Sequence, residues 1–172
     1  MQKRNLGLLV ISSLVLSSCG GGLLGGPQSG PDVSGSLDGG WPTGDTKLAL
    51  VGVTDRAPYT VNDSSALKII DTKITGSYIF DLPVTANNGF YRLIAFVDGS
   101  NGKPKDGKYQ LGETIDKGNG KYLIYSDGTF QAFNVTVGKG WNLYDNADGT
   151  VKPRSAVAND TFSGYNLTFP TN

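Results

Sequence analysis

The stretch Asp98-Gly99-Ser100-Asn101-Gly102-Lys103-Pro104-Lys105-Asp106-Gly107-Lys108-Tyr109-Gln110-Leu111-Gly112-Glu113 is where the chain's residue types most clearly suggest chemistry, and Glu113 is its only glutamate. Carboxylates and carbonyls spaced along a glycine-rich loop can wrap a hard cation. Calcium takes six to eight oxygens in flexible geometry, and a terminal glutamate can supply two of them. The same residue types also favour turns for local reasons, because Asp and Asn side chains bond their own backbone. Two features oppose a cation: the loop is longer than the roughly 12 residues of a compact calcium loop, and Lys103 and Lys105 add positive charge.

Other chemistry is thinly represented. Ser65-Ala66-Leu67-Lys68 matches the S-x-x-K pattern of serine acylases, in which the serine opens a helix and the lysine reaches it one turn later. Here the flanks read as loop and then strand, and the companion Ser-Asp-Asn and Lys-Thr-Gly motifs are missing. Paired carboxylates for glycoside hydrolysis could be drawn from the aspartates, most of which sit in turn signals beside Gly, Asn or Ser. The chain has no histidine, which removes the commonest general base and most zinc or copper sites. Gly39-Gly40-Trp41-Pro42-Thr43-Gly44-Asp45 lacks the Gly-Lys-Ser/Thr end of a phosphate loop, so no nucleotide is expected. Trp41 and Trp141 each follow a glycine. Tryptophans exposed on loops stack on sugars or anchor protein partners, and Tyr122, Tyr125 and Tyr144 could complete an aromatic platform. Alternatively, the same rings cover the ends and edges of a sandwich.

The elements that would position these residues read as strands throughout. From Val33 onward, runs rich in Val, Ile, Thr, Tyr and Phe alternate with turn clusters at the spacing of a sandwich or barrel. Strands are expected near Val33–Leu37, Lys47–Val53, Leu67–Asp71, Gly76–Leu82, Gly89–Val97, Lys121–Ser126, Thr129–Val137, Gly140–Tyr144 and Gly164–Phe169. Tyr78, Phe80 and Leu82 share one face, as do Phe133, Val135 and Val137, and again Tyr165, Leu167 and Phe169. Such alternation fits antiparallel strands with one face on a core. Gly89–Val97 is apolar except for Arg92 and reads as a central strand. Ser126-Asp127-Gly128-Thr129 reads as a tight hairpin. The expected fold is all-β, a single antiparallel sandwich of seven to nine strands, with no segment of helical periodicity and no internal repeat.

The order of several motifs resembles the transthyretin-like or carboxypeptidase-regulatory-like β-sandwiches and the B-type repeats of surface adhesins. The residues that carry the resemblance are Val33-Ser34-Gly35, Phe80-Asp81-Leu82-Pro83, Gly89-Phe90-Tyr91, and the aromatic strand that enters the loop from Asp98 to Glu113. It implies a transthyretin-like or immunoglobulin-like topology. It also implies calcium as the bound ion, with Asp98, Asn101, Asp106 and Glu113 as its ligands.

The N-terminus carries Lys3 and Arg4, then an apolar run from Leu6 to Leu16 that is too short to span a bilayer as a helix. Leu16-Ser17-Ser18-Cys19 resembles the lipobox of bacterial lipoproteins. The resemblance implies cleavage after residue 18 and lipid on Cys19, the chain's only cysteine. Two or three acyl chains hold a protein firmly at a membrane, whereas one holds it marginally. Gly20 rather than Asp follows the cysteine, which in Gram-negative relatives favours the outer membrane. Residues 20–32 are rich in Gly, Pro and Ser and read as a flexible tether. The expected organisation is a signal peptide over 1–18, a lipidated tether over 19–32 and a β-sandwich over 33–172. Loss of Lys3 and Arg4 takes the balance from zero to a net charge of about −2, and no basic tract suggests nucleic acid. The expected function is that of a non-catalytic cell-envelope protein, an accessory subunit or adhesin-like element with a protein partner. A carbohydrate- or wall-polymer-binding module using Trp41 and Trp141 is the alternative. A hydrolase using aspartates, or Ser65 with Lys68, ranks third.

Overall fold

The computed structural model describes residues 32–43, 45–54, 60–61, 66–71, 76–132, 135–154 and 161–170. Cys19, the signal segment, the tether up to residue 31, Ser65 and Phe133 lie outside the described residues; Asp32, expected as the last residue of the tether, is instead buried in the folded domain, its amide donating to the carbonyl of Phe80. Eleven strands occur among those described: β1 (Val33–Asp38), β2 (Thr46–Gly52), β3 (Lys68–Asp71), β4 (Ser77–Phe80), β5 (Gly89–Val97), β6 (Lys121–Ser126), β7 (Phe130–Ala132), β8 (Val135–Val137), β9 (Gly140–Asp145), β10 (Thr150–Pro153) and β11 (Leu167–Thr168). The only helical element among them is a short 3-10 turn at Ser100–Gly102.

The fold is an all-β sandwich. A six-stranded sheet in the order β10-β9-β6-β5-β2-β3 packs on a three-stranded sheet, β11-β1-β4, and β7 and β8 form a separate two-stranded sheet. Period-two alternation fixes which side chains meet. In β4, Tyr78 and Phe80 are buried while Ser77 and Ile79 are exposed. The inner faces bring Leu48, Leu50, Leu93, Leu123, Phe80, Tyr165 and Leu167 together with no exposed surface. Each side chain of this size contributes roughly 1.5–3 kcal/mol when fully buried.

The six-stranded sheet is covered on its outer face as well, which is why β2 is buried from Thr46 to Val51 without alternation. Ala49, Val51, Ile94 and Phe96 pack under Tyr109, and Ile124 and Tyr144 pack under Val137. Gly35 sits where no side chain fits: a Cβ there would lie 2.1 Å from the carbonyl oxygen of Tyr165.

Three expectations need correcting. Thr129–Val137 is not one strand: β7 and β8 pair only with each other, antiparallel, through Phe130↔Val137 and Ala132↔Val135. Nor does Asp127-Gly128 close a hairpin back onto β6. Instead Asp127 exchanges two hydrogen bonds with the Asn88 side chain, each of 2.8 Å, and Gly128 does not take a positive φ. β6 therefore finds its neighbours in β5 and β9. Finally, the pairing is not purely antiparallel. The C-terminal segment runs parallel to β1, bonding through Phe162 and Tyr165 before the short β11 pairs Leu37↔Leu167. β10 was not expected at all. It pairs with β9 at the edge of the large sheet, where Pro153 is tolerated.

Candidate functional site

The loop that leaves β5 holds the four residues expected to bind a cation, and the structure gives each a backbone to hold. Asp98 is 4% exposed and Glu113 is 5% exposed. The Asp98 carboxylate accepts from the amides of Asp106 at 3.2 Å and Gly107 at 3.0 Å. Lys47 Nζ stands 3.9 Å from its Oδ2. The Glu113 carboxylate accepts from the amides of Gly99 and Gln110, both at 2.8 Å. Asn101, in the left-handed region at φ 54°, donates from Nδ2 to the carbonyl of Gly112 at 2.8 Å. Asp106 accepts from the Lys108 amide at 2.9 Å. These bonds fold the loop back over the sheet and seat Tyr109 against Phe96, edge to face at 5.4 Å. Among the described residues no three His, Cys, Asp or Glu side chains gather as a metal would require. The donor set does not fit calcium: all three acidic side chains accept from amides of the loop, and an ammonium already stands beside one of them.

Sequence reasoning missed a second buried carboxylate system directly beneath. β6 pairs with β5 only over Gly89–Tyr91. Farther along, the same edge of β5 pairs with 114–116: the Val97 amide donates to Thr114 at 2.9 Å and the Asp116 amide to Ala95 at 3.0 Å. The gap between the two partners is closed by side chains. Asp116, 3% exposed, pairs with Arg92 and accepts from the amides of Ala95 at 3.1 Å and Gly118 at 2.8 Å. Burial pushes its carboxyl above the ordinary aspartate value, against the opposing pull of Arg92 and the two amides. The Tyr165 hydroxyl accepts from the Leu93 amide at 3.3 Å and donates to the carbonyl of Lys121 at 2.9 Å. Tyr78 in turn donates to the carbonyl of Tyr165, and burial raises both phenols. The usable signal was Arg92 itself, since a guanidinium in an apolar central strand needs a buried carboxylate.

Asp32 performs the same service at the start of the domain. It pairs with Arg154 and accepts from the Leu82 amide at 2.6 Å. Its carboxyl is raised by burial, partly offset by Leu82 and Arg154.

The tryptophans do not form a platform. Trp141 lies within β9 rather than on a loop and is 5% exposed. It donates to the carbonyl of Pro83 at 2.8 Å and meets Tyr91 and Tyr125 edge to face. Tyr122 and Tyr144 stack on each other on the opposite side of the sheet, because their positions have the other parity. Trp41 is half-buried against Phe169, with ring centroids 4.9 Å apart. The expectation that Trp141 presents a stacking surface is thus corrected: its strand parity turns it into the core. Lys68 is engaged elsewhere, donating to the carbonyl of Asp81 at 2.6 Å and lying over the Phe80 ring.

The open recess lies at the other end of the large sheet. Lys121, Leu143, Asp145, Asp148, Thr150, Lys152, Phe162 and Ser163 are among the residues that line a groove of about 400 Å³. Register places Lys121, Asp145 and Thr150 side by side across β6, β9 and β10. Lys121 Nζ is 3.8 Å from Asp145 and donates to the carbonyl of Gly164 at 3.2 Å. Asp148 accepts from the Thr150 hydroxyl at 2.6 Å and the Thr150 amide at 2.9 Å, and those two bonds lower its pKa. Alternation could have found this groove, since Lys121 and Asp145 share parity with the core residues Leu123 and Leu143.

Comparison with protein-family models, with curated proteins and with solved structures finds no match for this chain. The class that fold and site define is an all-β sandwich with a carboxylate-braced loop over one part of its large sheet and a polar groove at the other.

Proposed function

We propose that the protein is a non-catalytic module of a bacterial cell envelope, held at a membrane by lipid on Cys19 and acting through contacts of its folded domain, in the manner of an accessory subunit or adhesin-like element. The transthyretin-like or adhesin-like resemblance belongs to this proposal. The observation that carries it is the employment of the buried acidic residues. Asp32, Asp98, Glu113 and Asp116 each accept backbone amides, and three of them stand beside a lysine or arginine. General acid–base work needs a carboxyl within reach of a substrate proton, and these carboxyls are committed to the chain's own backbone. The Lipobox-like Leu16-Ser17-Ser18-Cys19 and the residue after it support an outer-membrane destination.

Labelled palmitate fed to a bacterial host expressing the full chain tests the anchor. Label in the wild type and none in Cys19→Ala, with the variant leaving the membrane fraction, is the expected result. An unlabelled wild type overturns the anchor. Hydrolysis of an ester, β-lactam or glycoside by the purified chain overturns the non-catalytic reading.

A further inference from the structure

The three-stranded sheet is half as wide as the sheet it covers, and the inner face of the larger sheet changes character beyond β6. Side chains of one parity on β6, β9 and β10 point to the side that carries the main core. Over Leu123, Leu143, Tyr125 and Trp141 that face is apolar. One rung away it becomes Lys121, Asp145 and Thr150, with Lys152 beside Leu143. These polar residues share the side that carries the main core but are not shut away from water: Lys121 and Asp145 are half-buried, and Thr150 and Lys152 are exposed. The groove they line, about 400 Å³, falls within the roughly 300–1,000 Å³ range of small-ligand sites.

Its chemistry selects a class of ligand. Lys121 and Lys152 offset Asp145 and Asp148, so the recess carries no net charge, and an ionic ligand of either sign meets a like charge beside each opposite one. Carboxylates only accept, ammoniums only donate, and the hydroxyls of Thr150 and Ser163 do both. A sugar hydroxyl also does both, and Leu143 and Phe162 give an apolar floor for ring carbons. We propose that this groove binds a neutral oligosaccharide. The inference rests on the non-catalytic reading in one respect: the bound sugar leaves intact.

The test uses the detergent-solubilised full chain, isotope-labelled, with cellotriose, maltotriose and triacetylchitotriose as probes. Amide resonances of Thr150, Lys152 and Ser163 should shift and saturate with at least one neutral trisaccharide. Thr150→Ala with Lys152→Ala should weaken that binding by about ten-fold or more, the loss of one hydrogen bond to a charged group. No shift with any of the three at about 10 mM, where even millimolar affinity saturates, overturns the proposal. So does binding that the double variant leaves unchanged, or tighter binding of a trigalacturonate or a chitosan trimer. Chromatography of the recovered sugar separates the two readings: cleaved trisaccharide sinks the non-catalytic reading while binding stands, and unbound trisaccharide sinks only the groove.

Discussion

The loop from Asp98 to Glu113 and the groove beside β10 are both built from aspartates, lysines and hydroxyls, yet they do opposite things. In the loop, Asp98 and Glu113 are buried and their carboxylate oxygens face amides of the same loop. In the groove, the Lys152 side chain makes no ion pair or hydrogen bond among the described residues, and Asp148 is exposed, its carboxylate accepting from the hydroxyl and amide of Thr150. Acidic composition therefore says little about a site until the amides around it are counted. A carboxylate that has taken its lone pairs inward is architecture, and one left beside water and a neighbouring ammonium is available to a ligand.

The comparison breaks most visibly at Asp116, under the loop. Asp116→Ala would leave Arg92 buried without its counter-charge and two amides without acceptors. The expected loss is about 3–5 kcal/mol, seen as a fall in melting temperature of roughly 10–20 °C. A loss under about 1 kcal/mol would mean that water replaces the carboxylate and that the junction is not structural. Tyr165→Phe removes one hydroxyl that serves β5 and β6 together. Denaturant titration should read a loss of about 2 kcal/mol, because the Leu93 amide is left buried and unpaired.

Within the loop, Glu113→Gln keeps one acceptor and turns a donor toward the other amide, at a cost of about 1–2 kcal/mol. The brace needs no ion, so the wild type should melt at the same temperature in EDTA and in about 10 mM calcium. A calcium module at about 100 times its dissociation constant would instead gain about 2.7 kcal/mol. Such a gain, abolished by Glu113→Gln, would return the loop to calcium and erase its contrast with the groove.

Acid sharpens the same contrast with a sign. Burial raises Asp32 and Asp116 above their unfolded value near 3.8. Between the folded and unfolded values the native state holds these protons more tightly. Their contribution to stability therefore rises as pH falls into that window and is lost as pH climbs through the folded value. Asp148, lowered and exposed, runs the other way. On going from pH 7 toward 4 the wild type should gain stability relative to Asp32→Asn, which cannot titrate there. A relative loss would show that Arg154 outweighs desolvation at Asp32.

Much of the sandwich was legible because alternation is local. Gly89–Val97 and Lys121–Ser126 fall at the boundaries read from sequence. β10 was missed because Thr150-Val151-Lys152-Pro153 has one apolar side chain and a proline, and reads as a turn until β9 pairs with it. The junction of Arg92, Asp116 and Tyr165 was missed because its bonds join residues 21 to 72 positions apart. The conspicuous loop misled for the converse reason. Asp, Asn and Gly at close spacing look alike whether they wrap a cation or cap their own turns, and only the direction of the amides separates the two. Trp141 misled because it was weighed as an exposed loop ring although a strand was expected over Gly140–Tyr144, and the parity of that strand turns the ring into the core.

The smallest effect is the one that tests whether the groove is free of structural duty. Thr150 and Lys152 are exposed at the edge strand, and beyond the bond from the Thr150 hydroxyl to the Asp148 carboxylate their side chains hold nothing among the described residues. Replacing both with alanine should change unfolding free energy by no more than about 0.5 kcal/mol, as for ordinary surface positions. The same measurement on Asp145→Ala should show somewhat more, since Asp145 also accepts from the Ala147 amide at 3.0 Å and faces Lys121. If the double variant instead melted as low as Glu113→Gln, the groove would be as much a brace as the loop, and its polar residues would be explained by the fold alone.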